Sequence, residues 1–242
     1  WRSIHSDDFA QVPANPVYMA ASGGTTVNSP CGDYKIHTFT SPGTFTVSTV
    51  GNNAGSDSVE VLGVAAGGGG GGCNGGGGGA GAVASNSTVT LTATGYPITI
   101  GAGGTAGPSG GGDGSTGTAV TFFSNTIRAG GGGKGADSPG SMPGTYSNGG
   151  GGAGVADSVP YGQASTKYCG VTHPTISGYT IGAGNNGGAG RNTSTPSNPG
   201  PGNLAGGGAG AGAVGTSSCS PTVAGAGGVG ILNAINGSSL YW

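Results

Sequence analysis

From Tyr34 onward, apolar and polar residues alternate with the two-residue period of half-buried strands. YKIHTF (34–39) and TFTVSTV (44–50) read as two strands around a turn at Ser41-Pro42-Gly43. SVEVLGVAA (58–66) supplies a third strand after a Gly/Asn loop. Further β segments are expected at STVTLTAT (87–94), PITIG (97–101), TAVTFFSNTI (118–127) and TISGYTIG (175–182). No stretch reads as a helix. Between and after the strands come glycine-rich blocks at roughly 67–82, 101–117, 130–135, 149–154, 182–190, 200–215 and 224–230. They recur without one fixed period, which predicts stacked layers and not a regular solenoid. In residues 1–32, Pro13, Pro16, Gly23, Gly24 and Pro30 argue against a continuous strand or helix, so this segment reads as a lead-in or attachment arm.

Composition sharpens the problem. Glycine supplies 62 and proline 14 of the 242 residues, a balance that ordinarily signals low complexity or disorder. Disorder, however, needs low hydrophobicity combined with high net charge. This chain has six basic and eight acidic residues and a net charge of −2, so self-repulsion is weak. Its glycine runs also alternate with β-branched stretches that flexible linkers lack. An ordered structure is therefore expected, and it must offset the large backbone entropy that glycine loses on folding. The groups available for that are the backbone N–H and C=O. Polyproline-II geometry turns them all outward, and without Cβ atoms such segments can pack side by side and bond to one another. The predicted fold is mostly β and irregular, with short strands framing packed glycine-rich, polyproline-II-like (polyglycine II) helices and little or no α-helix. Runs such as 67–72 and 75–79 lack the strict third-residue glycine of collagen.

Several function classes drop out. Arg2, Lys35, Arg128, Lys134, Lys167 and Arg191 are scattered, leaving no electrostatic footprint for nucleic acid. No stretch of about 20 apolar residues exists, so no membrane insertion by a helix is expected. The chain begins at Trp1 and not at Met, which suggests a processed product or part of something longer. Cys31, Cys73, Cys169 and Cys219 allow two disulfides in three connectivities, and their wide spacing fits no zinc pattern. His5, His37 and His173 are isolated. GGGGKGA (130–136) lacks the Ser/Thr of a phosphate loop, and no G-x-S-x-G elbow occurs. No catalytic residue, metal or cofactor is expected, and the chain does not read as an enzyme.

The ordered succession of β motifs carries a resemblance. GDYKIHTFTSPGTFTVS (32–48) leads into VEVLGVAAGGGGGGCNGGGGGAGAV (59–83), followed by TVTLTATGYPITIGAGGTAG (88–107), FFSNTIRAGGGGKG (122–135) and GAGGVGI (225–231). This order resembles the glycine-rich domain of tail-fibre and receptor-binding proteins of tailed bacteriophages. More loosely it is similar in architecture to the distal adhesins of T-even-like phages, in which packed polyglycine-II helices carry variable loops. The resemblance covers roughly residues 32–231. The ending ILNAINGSSLYW departs from the family's basic apolar strand and leaves Tyr241 and Trp242 as an aromatic terminus of unassigned role. The implied organisation is a lead-in over 1–32, a glycine-rich domain over 33–231 and an aromatic tail over 232–242. The implied role is a virion-surface attachment protein whose partners are a host-cell receptor (a glycan or an outer-membrane protein), other virion proteins and, in the usual fibre assembly, two further copies in a homotrimer.

If recognition lies on loops, the aromatics between the glycine blocks are the candidates: Tyr146, Tyr161, Tyr168, His173 and Tyr179. The stretch RNTSTPSNP (191–199) is similar in kind. The plainer reading is that these tyrosines cap the glycine layers and shield them from water. Thr88, Thr90, Thr92 and Thr94 fall on one predicted strand face opposite Val89, Leu91 and Ala93; this array could bind ice, and a half-exposed strand gives the same pattern. Asn86, Asn192 and Asn236 begin glycosylation sequons that matter only in a glycosylating host. A capsid-mounted decoration fibre and an ice-binding or matrix protein remain the alternatives.

Overall fold

The computed structural model describes residues 15–28, 32, 34–73, 75–123, 127–129, 175–182, 184–191, 204–218 and 222–242. These form short antiparallel strands and no helix, with no closed barrel among them. One sheet has the order β1-β4-β7, from Ala20–Ser22, Gly43–Thr49 and Gly95–Ile98. On β4, Phe45 and Val47 point inward while Thr44, Thr46 and Ser48 stay exposed, as a strand with one wet face requires. On β7, Tyr96 and Ile98 are buried, with Tyr96 opposite Phe45. Pro97 is accommodated because β7 is an edge strand, where a missing N–H breaks no ladder.

The lead-in is paired from Ala20 onward, β1 in this sheet and the next strand in a separate two-stranded one. β2 (Thr25–Asn28) pairs with β3 (Lys35–Thr38), while β1 pairs with β4. The segments 34–39 and 44–50, expected to form a hairpin with each other, therefore both pair with the lead-in instead. The bend at Gly23-Gly24 makes this geometry available. Both residues have left-handed φ (111° and 63°), and a side chain on Gly23 would collide with the Thr44 carbonyl. The His37 Nδ1–H donates to the Gly23 carbonyl at 2.8 Å and pins the bend.

The second sheet, β5 (Ser58–Val64), β6 (Val83–Thr90) and β10 (Thr180–Gly182), has the order β10-β6-β5. Strand β6 ends at Thr90, short of the expected Thr94. The Tyr96 hydroxyl intervenes, accepting from the Thr92 N–H at 2.8 Å and donating to the Thr92 carbonyl at 3.2 Å. Thr92 and Thr94 thus fall in a turn, and only Thr88 and Thr90 remain on the strand. The expected strand 118–127 is a hairpin, β8 (Val120–Phe122) with β9 (Ile127–Ala129). It folds back at Phe123, whose φ of 53° is unusual for an aromatic residue. Both phenylalanines enter the core. Phe123 lies 5.5 Å from Tyr96, 5.6 Å from Phe122 and 6.3 Å from Phe45, each in an edge-to-face arrangement. Ala65, Ala82, Ala84, Leu91 and Val120 complete the buried cluster.

Beyond the strands the glycine segments continue as ladders with a different rhythm. After β5 and β6, the amides of Ala65, Gly68 and Gly71 donate to the carbonyls of Ala82, Gly79 and Gly76 at 2.9–3.0 Å. The register that β5 and β6 hold from Val61 to Val64, beyond a shift at Val59/Val61, carries on, but the bonds now recur every third residue where a β-ladder has period two. The intervening residues serve other neighbours. Gly69 and Gly72 donate to Ser115 and Gly112, and the carbonyls of Gly67 and Gly70 accept from Gly104 and Gly107. Segment 65–72 is thus bonded on three sides. Segment 204–210 is a second hub. Leu204 and Gly207 accept from Arg191 and Gly188; Gly206 and Ala209 from Gly77 and Ala80; Ala205 and Gly208 from Gly225 and Gly228. The Gly207 and Gly210 amides donate to Thr216 and Ala213.

At many positions such spacing leaves no room for a side chain. A Cβ on Gly69 would run into the Thr105 carbonyl, and one on Gly207 into that of Ala226. Where alanine replaces glycine at Ala189, Ala209 and Ala211, the methyl is buried. Side-chain oxygens also join the lattice. Thr216 Oγ1 accepts from the Ala226 amide at 2.6 Å, and Asn185 Nδ2 donates to the Gly210 and Ala211 carbonyls at 2.9 and 3.0 Å. The tail closes as a hairpin of β11 (Leu232–Asn233) and β12 (Leu240–Tyr241).

Candidate functional site

The directions of the ladders bring several connections to one end of the molecule. Segment 65–72 runs towards Cys73, and 75–82 returns. Segment 101–107 runs parallel to 65–72 and ends in the turn at Pro108–Gly111, where the Gly111 amide donates to the Pro108 carbonyl at 3.0 Å. The two tips meet, with the Cys73 Sγ donating to the Ser109 carbonyl at 3.0 Å. Segment 204–210 runs parallel to 75–82, away from this end, so Leu204 and its bridging partner Arg191 sit there too. Segment 224–230 runs parallel to 204–210, which places Thr222 and Val223 at the same end; the Ser218 hydroxyl donates to the Val223 carbonyl at 3.1 Å. The flanks of 192–203 and of 219–221 are therefore mounted beside the turns at Cys73 and Pro108. Of the Asn/Ser/Thr/Pro stretch singled out from sequence over 191–199, only Arg191 lies among the described residues.

A second feature lies along the flank. A groove of about 660 Å³ is lined by residues 67–68, 77–80, 205–210, 224–225, 227–228 and 230, together with Tyr241 and Trp242. Its surface is almost wholly backbone, because glycine and alanine supply the lining apart from the two aromatics. Tyr241 is 69% exposed. The Trp242 backbone is fixed by reciprocal 2.9 Å bonds with Ile231, and the hairpin turn is closed by the Gly237 amide donating to Ala234. Asn233 Oδ1 accepts from the Ile235 amide at 2.8 Å and fixes the entry to that turn.

Of the sequence candidates, Tyr146, Tyr161, Tyr168 and His173 lie outside the described residues, as do Cys31, Cys169 and Cys219. Cys73 is exposed at the turn end. Tyr179 packs against the core, its ring 6.5 Å from that of Phe122, and its buried hydroxyl has no hydrogen-bond partner among the described residues. Burial raises its pKa from 10.0 to about 12. No cluster of three metal-ligating side chains occurs among the described residues. The groove was not legible in the sequence, since its lining is glycine backbone; the aromatic ending Tyr241-Trp242 was its one sequence signal.

A family model described as a glycine-rich domain matches residues 40–241. No curated protein and no solved structure matches the chain.

Proposed function

The chain belongs to the glycine-rich domain family, and from that premise we propose that it is a non-catalytic attachment protein of a virion, a tail fibre or receptor-binding tip displayed outside the particle. The observation that carries this reading is the convergence of connections at one end of a bonded glycine scaffold. The turns at Cys73 and Pro108–Gly111 and the flanks Arg191/Leu204 and Ser218/Thr222 share that end. Rigid elements presenting irregular connections at one pole are a usual way to build a recognition surface. In this reading the three-residue ladders are packed polyglycine-II helices. A three-residue repeat with bonds to different neighbours and none within the segment is the pattern that geometry gives. The recognised partner is a host-surface molecule, and assembly with other virion proteins or as a trimer would raise avidity.

Immunogold electron microscopy tests the assignment, with antibodies to this chain applied to virus particles and debris from its source. Gold at tail or fibre tips supports it. Gold over the head replaces it with a decoration fibre. An absence of label from every particle overturns the virion reading and moves ice-binding or matrix roles forward.

A further inference from the structure

We propose that the flank groove beside Tyr241 and Trp242 is a binding site for a neutral oligosaccharide, an inference that rests on the attachment reading and names the ligand class.

Three observations point there. The volume of about 660 Å³ suits a small ligand of a few rings. The lining carries no charged side chain, so neither a phosphate nor a carboxylate would find a counter-charge. It carries instead backbone donors and acceptors. Gly227, exposed on the groove, has neither its N–H nor its C=O engaged among the described residues. Sugar hydroxyls, which both donate and accept, match such a mixed surface.

The aromatic pair supplies the other half of the chemistry. A pyranose ring has an apolar C–H face, and Tyr and Trp present broad surfaces with a polar edge. Tyr241 is exposed and registered against Leu232 on β11, and Trp242 is tied to Ile231, so their backbone has little freedom left to lose on binding. An extended glycine-rich segment of a second copy could also pair with the free backbone groups. It would bring no ring or side chain to cover Tyr241, which favours the saccharide.

The test is binding of the whole chain to an immobilised panel of neutral and acidic oligosaccharides, with the melting temperature of each variant measured alongside. At least one neutral glycan should bind. Tyr241→Ala and Trp242→Ala should each weaken binding by about tenfold, and Trp242→Phe by only about threefold, as loss or reduction of a stacking face implies. Gly227→Ala is the fold-neutral probe. The nearest atom to its new methyl would be the Gly208 carbonyl oxygen at 3.8 Å, so the scaffold is undisturbed while the groove narrows and glycan binding falls. Binding unaffected by Tyr241→Ala and Gly227→Ala places any glycan site elsewhere and overturns the proposal, as does binding confined to acidic glycans or self-association that these variants abolish. A blank panel with gold still at the tail tips sinks the groove and leaves the attachment role intact. Neutral glycan binding sensitive to these variants, with no particle labelled, keeps the groove and removes the virion.

Discussion

The edge of the Phe122 ring occupies the space that a side chain on Gly63 would need. Gly63 lies in β5 and Phe122 in β8, so this approach joins the second sheet to the β8–β9 hairpin. Phe122 is buried, with the Phe123 and Tyr179 rings 5.6 and 6.5 Å away, so it has little space into which to retreat. Gly63→Ala should therefore destabilise the fold by about 1–3 kcal/mol through overpacking. Phe122→Ala should cost about 3–5 kcal/mol by leaving a cavity. Urea unfolding reads both. A Gly63→Ala variant with an unchanged midpoint would mean that the ring does not sit there.

Two glycines of the scaffold offer a matched contrast. A methyl on Gly69 would strike the Thr105 carbonyl, whereas one on Gly103 would meet nothing nearer than the Gly67 carbonyl oxygen at 4.0 Å. Gly69→Ala should lower stability by more than about 2 kcal/mol, since backbone must move. Gly103→Ala should be neutral or stabilise by about 0.4–1 kcal/mol by restricting the unfolded chain. Equal effects in denaturant melts would refute the close-packed ladder.

Amide hydrogen exchange gives the rhythm of the lattice directly. Gly68, Gly69, Gly71 and Gly72 donate to other segments, while Gly67 and Gly70 donate to no group among the described residues. Exchange should be slow at the first four and fast at the latter two, a pattern of two protected amides in every three. Protection at every second residue would indicate ordinary β-pairing and remove the polyglycine-II proposal.

The Tyr179 hydroxyl is buried without a partner among the described residues, and burial pushes its pKa up to about 12. The folded state prefers the neutral phenol. Its contribution is complete below pH 10 and is lost as the pH rises from about 10 towards 12, because the unfolded chain ionises first. Tyr179→Phe should abolish that alkaline dependence. It should also leave neutral-pH stability unchanged or slightly higher, since no hydrogen bond is sacrificed. A marked loss of stability at pH 7 would show that the hydroxyl has a partner after all.

Much of the β framework was legible because its signal is local. Alternation at Thr44–Thr49 marks β4, and the apolar run at Ser58–Val64 marks β5. Pairing was less accessible. The turn at Ser41-Pro42-Gly43 suggested that its flanking segments join each other, yet β3 and β4 take the lead-in strands as partners. Strand ends were set by distant groups, as where the Tyr96 hydroxyl claims the Thr92 backbone.

The sequence by itself determined that this chain must satisfy its backbone between segments, because 62 glycines give almost no side chain to bury. It also determined the turn-forming and strand-forming stretches, and hence the absence of helix among the described residues. Which glycine meets which was decided only in three dimensions. One glycine is chemically the same as the next, so nothing local distinguishes Gly68 from Gly70. Register is imposed from the two ends, by the side-chain core that anchors β5 and β6 and by the tips at Cys73 and Pro108. The same long-range closure sets Tyr241 and Trp242 beside a groove whose walls carry almost no side chains to announce it.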